Sequence, residues 1–201
     1  MSAGRALLAA LGDGYRHSWR LVLLNCAVGT VIFAAAYGAA YALPAALLAV
    51  AAGPLLAALA HCAVVVARTD ALAWSDVREG LRLHWRRGLA LGALATAGIA
   101  LGILATWFYV HRGLWPVAAV TAYVLAAFCI WQLVAWPLAV AGAERPLVRA
   151  AQELLRRPVS ALALGAVLLV VNAAGVVTMI PLLTITLAFS FLATAHFVLE
   201  G

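Results

Sequence analysis

Five amide or imidazole side chains lie inside otherwise uncharged, apolar stretches of the sequence, where such a polar group needs a partner. They are Asn25, His61, Gln132, Asn172 and His196. Four of them, all except Asn172, fall within about 12 Å of the charged end of their stretches, at 1.5 Å per helical residue. These four could form one polar cluster that binds a solute or an ion. We favour the other interpretation, ordinary hydrogen bonding between helices, which is worth about 0.6 to 2 kcal/mol per contact.

The residue pattern supports neither a metal site nor a catalytic site. His61 and Cys62 are adjacent, so on a helix they would point about 100° apart and could not easily bind one ion. The sequence has no HxxxH or CxxC pattern and no GxSxG, P-loop or HExxH motif. The acidic residues all lie outside the apolar stretches, where we expect them to be solvated partners of arginine. The sequence therefore predicts no cofactor, no metal and no enzymatic activity.

The composition is typical of a membrane protein. Of the 201 residues, 67% are hydrophobic and 10% are charged, and the mean hydropathy is +1.08. Soluble domains are about half apolar and a quarter charged. The net charge of +6 comes from arginine alone, in short gaps between apolar stretches. We interpret it as a topology signal and expect no nucleic acid partner. The three cysteines lie within apolar stretches, and we expect no disulfide.

The lengths of the uncharged stretches predict six transmembrane helices, because about 20 helical residues cross roughly 30 Å of hydrocarbon. Residues 21–67 are long enough for two crossings with a turn at Pro44. Residues 159–199 must also fold back, and we expect the turn at Pro181, since a turn at 172–175 would leave about 13 residues before it. The predicted domain, 1–201, has an interfacial segment at 1–20 and crossings at about 21–43, 45–67, 88–110, 117–140, 159–180 and 181–199.

Arginine is distributed unevenly between the two sides of this predicted bundle. With six crossings, both termini and the gaps 68–87 and 141–158 lie on one side. That side carries all of the 13 arginines except Arg112. The arginine-rich side of a membrane protein is normally cytoplasmic. The sequence therefore predicts a multi-pass protein of a bacterial cell membrane, the inner membrane, with both termini in the cytoplasm.

Both cytoplasmic gaps show the spacing of amphipathic helices, which we expect to lie on the inner leaflet. In the first gap, apolar residues form one helical stripe: Trp74, Val77, Leu81 and Trp85. In the second gap, Pro146 suits a helix start. Each predicted helix ends in two arginines and a helix breaker, Gly88 or Pro158. We expect six arginines at anionic lipid headgroups, each contributing about 1 kcal/mol: Arg78, Arg82, Arg86, Arg87, Arg156 and Arg157.

Two glycine pairs mark the predicted third crossing. Gly88 pairs with Gly92 and Gly98 with Gly102, each at four-residue spacing. Small residues let helices approach closely in lipid, and the two pairs lie on different faces. We therefore expect this helix to be approached by two neighbours and to lie centrally in the bundle.

Four segments carry a family resemblance. They are LVLLNCAVG after Trp19 and Arg20, GPLLAAL at 53–59, SDVREGLRLHWRRG, and WPLAVAGAERPLVRAAQELLRRPVSALALG. In their order they resemble the YesL-like family of small bacterial integral membrane proteins, a domain of unknown function. This chain departs from the family pattern in its first basic helix, which has tryptophan and arginine where phenylalanine and asparagine or lysine are usual. The resemblance implies an accessory role in carbohydrate uptake, beside subunits of an ABC-type sugar transporter, and defines no binding residue.

Two functional hypotheses follow from the sequence. The first is a membrane accessory protein of unknown molecular activity, with the lipid bilayer and transporter subunits as its partners. The alternative is a small solute transporter or channel that uses the polar cluster.

Overall fold

The computed structural model describes residues 2–16, 18–41, 47–178 and 185–199, and all regular structure in these ranges is helical. The predicted all-α class is therefore confirmed. The helices described are α1 (Ala3–Arg16), α2 (Ser18–Tyr41), α3 (Leu47–Ala51), α4 (Gly53–Thr69), α5 (Trp74–His111), α6 (Trp115–Val140), α7 (Pro146–Arg156), α8 (Pro158–Thr178) and α9 (Leu187–Leu199).

Several of these helices are long and apolar enough to cross a membrane. Four segments qualify by length and composition: Leu47–Thr69, which joins α3 and α4, Trp74–His111, Trp115–Val140 and Pro158–Gly175. The chain bends by 100° between α1 and α2, and this pair would make a fifth segment if counted as one. The chain is thus built as a multi-pass membrane protein. The predicted turns at Pro44 and Pro181 lie outside the described residues.

The two basic segments end differently. The predicted break after the second one is confirmed, because α7 begins at Pro146 and α8 begins separately at Pro158. The predicted break at Gly88 is wrong, because α5 runs through it as one helix of 38 residues. Glycine keeps its backbone N–H and costs about 1 kcal/mol inside a helix, whereas proline lacks the N–H and costs about 3 kcal/mol. The first basic segment is therefore the beginning of α5.

Two predicted connections agree with the structure. α5 and α6 form a tight hairpin across the short gap predicted between residues 110 and 117, and its turn uses Gly113 at a φ of 71° and a hydrogen bond from the Leu114 N–H to the Tyr109 carbonyl. α8 continues through residues 172–175, so the turn that we rejected there is absent. Pro116 lies in the first turn of α6, where its missing N–H costs nothing.

The most buried helix is α9, and the predicted central position of α5 is wrong. Residues 190–197 of α9 are all buried, and α9 packs against α1, α2, α4 and α6. Its small side chains, such as Ser190, Ala193 and Ala195, allow those neighbours to approach. α5 instead exposes bulky apolar side chains, including Leu101 and Leu104.

Burial divides the bundle into two parts. α4, α9 and residues 132–140 of α6, which we call the core helices, are largely enclosed by protein. Trp136 and Phe191 join α6 to α9 there, with ring centroids 6.2 Å apart. Residues 95–131 of α5 and α6, which we call the outer hairpin, expose most of their side chains. This is the pattern expected of helices that face lipid.

α1 has one buried side and one exposed apolar side. Ala6 and Ala10 are fully buried, on a helix that packs mainly against α9. Leu8, Leu11 and Tyr15 form the exposed apolar side. α1 therefore packs on the core helices and still offers an apolar face for a membrane interface.

Candidate functional site

Very close approaches set how α4 and α5 lie side by side. A Cβ atom added to Gly53 would lie 2.3 Å from the Gly88 carbonyl oxygen, and one added to Gly80 would lie 2.9 Å from the Cβ of His61. These pairs place residues 53–61 of α4 beside residues 80–88 of α5, and the remainder of α4 continues alongside residues 74–80. The charged segment therefore runs along α4 and does not lie apart from the bundle.

The side of α5 that faces α4 differs from the predicted apolar stripe. Gly80, His84 and Gly88, spaced by four residues, are the buried positions. Leu81 and Trp85 of the predicted stripe are exposed instead. Three arginines of the predicted headgroup set are exposed on the same segment: Arg78, Arg82 and Arg86. The accessible side of residues 74–88 thus combines arginine with tryptophan and leucine.

The N-terminal helices hold the turn at 70–73, which joins α4 to α5. Asp70 adopts a φ of 51°, and its carboxylate accepts a hydrogen bond from Arg16 Nη1 at 2.7 Å. Arg20 Nη1 donates to the carbonyl of Leu72. These contacts tie the start of α5 to the junction of α1 and α2.

Asn25, the first member of the predicted polar cluster, connects α2 to α9. Its side chain is fully buried, and its Oδ1 accepts a hydrogen bond from the Ala188 N–H at 2.9 Å. Ala188 lies in the first turn of α9, where backbone N–H groups need partners from outside the helix. Asn25 therefore acts as a cap supplied by another helix.

His196, near the other end of α9, pairs with an acidic residue of α1. His196 Nε2 lies 2.7 Å from Asp13 Oδ2, and both side chains are largely buried. Asp13 was expected to be a solvated partner of arginine, and that prediction is wrong. The Ala188 N–H and His196 are eight residues apart on α9, or about 12 Å along the helix.

His61 lies against α5, where it meets a residue that the sequence analysis did not single out. The ring centroids of His61 and His84 are 5.3 Å apart. The Nδ1 atoms of both rings are buried and have no hydrogen-bond partner among the described residues. The signal that could have pointed to His84 is its four-residue spacing between Gly80 and Gly88.

Gln132 is buried in α6. In the part of the chain that the structure describes, neither its Oε1 nor its Nε2 has a hydrogen-bond partner. The four predicted cluster residues thus lie on four helices, and Asn25, His61 and His196 each contact a residue outside the set. Their use in ligand binding stays a prediction.

The remaining arginines of the predicted headgroup set make local contacts. Arg87 Nη1 donates to the Ala139 carbonyl at 3.0 Å, joining α5 to the end of α6. Arg156 pairs with Glu153 at 3.1 Å on α7, and Arg157 is the C-cap of the same helix. Their contact with lipid headgroups also stays a prediction.

Among the described residues, no group of three or more His, Cys, Asp or Glu side chains is placed to hold a metal ion. No protein-family model, no curated protein and no solved structure matches the chain.

Proposed function

We propose that this chain is an accessory protein of a bacterial cell membrane, which acts by binding a partner through residues 74–88 and performs no catalysis. The observation that carries the proposal is the length of α5. Its 38 residues extend about 57 Å, and the hydrocarbon accounts for only about 30 Å of that length. The charged beginning of α5 therefore extends beyond the bilayer as part of a continuous helix.

The topology that we propose has six crossings, with both termini and the basic segments 68–87 and 141–158 in the cytoplasm. The unequal distribution of arginine supports this orientation. This orientation depends on the chain returning to the cytoplasmic side after α2 and α3–α4. Both termini and both basic segments therefore lie in the cytoplasm whether α2 and α3–α4 cross the membrane fully or enter it only part of the way.

The exposed side of residues 74–88 has the chemistry of a protein interface. Arginine and tryptophan are the residues most enriched among those that dominate binding energy. Arg86 already lies over the Trp85 ring, 5.2 Å from its centroid. The close contacts with α4 hold this side of α5 in place before a partner arrives, which lowers the entropic cost of binding.

The resemblance to YesL-like proteins suggests the partner, namely subunits of an ABC-type sugar transporter. The rival function, solute transport through the polar cluster, is less well supported. Asn25 and His196 are hydrogen-bonded to other helices, as expected of residues that hold a bundle together.

Site-specific photo-crosslinking in intact cells tests the proposed function. Leu83, on the exposed side of α5, and Leu104, in the outer hairpin, are both 59% exposed. A photoreactive phenylalanine at position 83 should cross-link to sugar-transporter subunits identified by mass spectrometry. The same group at position 104 should give no protein adduct. Equal cross-linking at both positions, or none to transporter subunits at position 83, would contradict the proposal.

Two further measurements address the topology and the rival function. With the three native cysteines replaced, a cysteine at Leu114 should react with a membrane-impermeant maleimide in intact cells, and one at Leu83 should react only after lysis. In proteoliposomes, solute flux that is lost in His61→Leu and Gln132→Leu variants would establish transport instead.

A further inference from the structure

A basic groove lies where the end of α6, the start of α7 and the side of α5 meet. One part, with a volume of about 430 Å³, is lined by Arg87, Leu91, Arg145 and Leu147, among others. An adjoining part of about 360 Å³ follows the turn from α6 to α7 and adds Arg149. Glu144 and Arg145 line both parts, so the two parts lie side by side, and we refer to them together as the groove.

We propose that this groove binds the headgroup of an anionic phospholipid as a specific site. The proposal rests on the proposed placement of residues 141–158 at the cytoplasmic membrane surface. It goes beyond a general attraction of arginine to headgroups, because it places one lipid in one groove. Two arginines of this groove, Arg145 and Arg149, lie outside the predicted headgroup set.

The charges of the groove favour an anion. Three arginines line it, against the single carboxylate of Glu144. The side chains of Arg145, Arg149 and Glu144 are exposed, and none of them forms an ion pair within the described residues. The guanidinium groups of Arg145 and Arg149 are therefore available for a phosphate, which arginine recognises with paired N–H donors.

The walls of the groove are held in place by contacts within the protein. Gly142 adopts a φ of 90°, which turns the chain sharply after α6. Trp131 Nε1 donates to the carbonyl of Leu147 at 2.9 Å, and Ala150 of α7 is fully buried. Arg87 is anchored by its bond to Ala139. The site is thus largely formed before a ligand binds.

The apolar part of the groove favours a lipid over a soluble anion. Ala90, Leu91, Leu147 and Val148 line it beside the arginines. On α5, Ala90 and Leu94 are exposed and lead from the groove towards the outer hairpin. An acyl chain can follow this surface while the phosphate stays with the arginines. Basic pockets between helices at the cytoplasmic side of a membrane are known to bind anionic headgroups.

Lipid binding to the purified protein in mild detergent tests the proposal. Native mass spectrometry would measure the affinity for phosphatidylglycerol, with phosphatidylcholine as the neutral comparison. The double variant Arg145→Gln, Arg149→Gln should bind phosphatidylglycerol about tenfold or more weakly. The matched double variant Arg68→Gln, Arg112→Gln removes the same charge at two exposed positions outside the groove and outside the predicted headgroup set, and it should change the affinity less than about threefold.

A third variant, which should bind the lipid more tightly, distinguishes loss of the site from misfolding. Glu144→Gln removes the one carboxylate of the groove, so it should strengthen phosphatidylglycerol binding, which a misfolded protein could not do. Equal loss in the two double variants, or no preference for phosphatidylglycerol over phosphatidylcholine, would overturn the proposal. Displacement of the lipid by millimolar inorganic phosphate would show a soluble-anion site and would also overturn it.

The result of the lipid-binding measurement does not depend on the proposed accessory function. The lipid measurement uses detergent-solubilised protein and needs neither a partner nor a membrane orientation. The cross-linking experiment instead probes Leu83, which does not line the groove. Either result can therefore fail while the other stands.

Discussion

The contacts that neighbouring helices make with the core helices and the contacts within the outer hairpin are of the same two kinds, but the neighbours differ. In both, a glycine allows a close approach and a polar side chain joins two helices. Gly88 meets the backbone of α4, whereas Gly98 meets the ring of Phe128 on α6. Asn25 caps a buried backbone N–H, whereas Thr106 meets the hydroxyl of Thr121. The cost of a substitution should therefore depend on whether the neighbour can move.

The largest effect should come from Gly88→Ala. The added methyl group would lie 2.7 Å from the Gly53 carbonyl oxygen and 2.9 Å from the Pro54 Cα atom. Backbone atoms of a packed helix cannot give way, so we expect a clash of about 3 kcal/mol. Alanine recovers about 1 kcal/mol of helix propensity. The free energy of unfolding in maltoside–SDS micelles should therefore fall by about 2 kcal/mol.

The control for this variant is Gly12→Ala on α1. A Cβ atom there would have nothing within 4 Å, so the change should leave stability unchanged or raise it by up to about 1 kcal/mol. If Gly88→Ala were as stable as Gly12→Ala, the close approach of α4 and α5 would be refuted. The placement of residues 74–88 along α4 would then be refuted as well.

Asn25→Leu should have the next largest effect. Leucine has the same branching but cannot accept a hydrogen bond from the Ala188 N–H, which would remain buried without that partner. We expect a loss of about 1.5 kcal/mol in the same unfolding measurement.

Gln132→Leu is the matched comparison for Asn25→Leu. It also replaces a buried amide, but one with no hydrogen-bond partner in the described part of the chain. It should therefore be neutral or stabilising. Equal losses in the two variants would show that the Asn25 hydrogen bond has no special role in holding α9.

The secondary structure of this chain was more predictable than the placement of its helices. Proline positions predicted the starts of α7 and α8, whereas the break predicted at Gly88 was wrong. The helix that occupies the centre was not predictable, since the sequence of α9, LAFSFLATAHFVL, is as apolar as a helix that faces lipid. Its burial depends on four other helices that enclose it.

The candidate site shows the same limit. Asn25 and His196 could be singled out because polar residues in apolar helices need partners. Their partners could not be named, since Asn25 and Ala188 are 163 residues apart and Asp13 and His196 are 183 residues apart. Spacing along one helix reveals neighbours on that helix, as with Gly80, His84 and Gly88. Contacts between distant helices depend on the whole arrangement.

In the outer hairpin, Gly98→Ala should be tolerated better than Gly88→Ala. The added methyl group would lie 2.4 Å from Phe128 Cζ. Phe128 is only half-buried, so its ring can swing towards the lipid, and the net loss should stay below about 1 kcal/mol. Phe128→Leu should remove most of that loss in the double variant. A loss as large as that of Gly88→Ala would mean that the hairpin is packed as rigidly as the core helices.

The smallest effect should come from Thr106→Val, which removes the 3.1 Å contact between the hydroxyls of Thr106 and Thr121. Thr121 keeps its hydrogen bond to the Ala118 carbonyl, and the Gly102 carbonyl that Thr106 contacts can keep its helical partner. No buried group is therefore left unpaired, and the loss should be about 0.5 kcal/mol. Thr121→Val should add little to it in the double variant, because the shared contact is already gone. If Thr106→Val lowered the free energy of unfolding as much as Asn25→Leu, the hairpin would depend on its polar contact as strongly as α9 does. The contrast between the two parts of the bundle would then disappear.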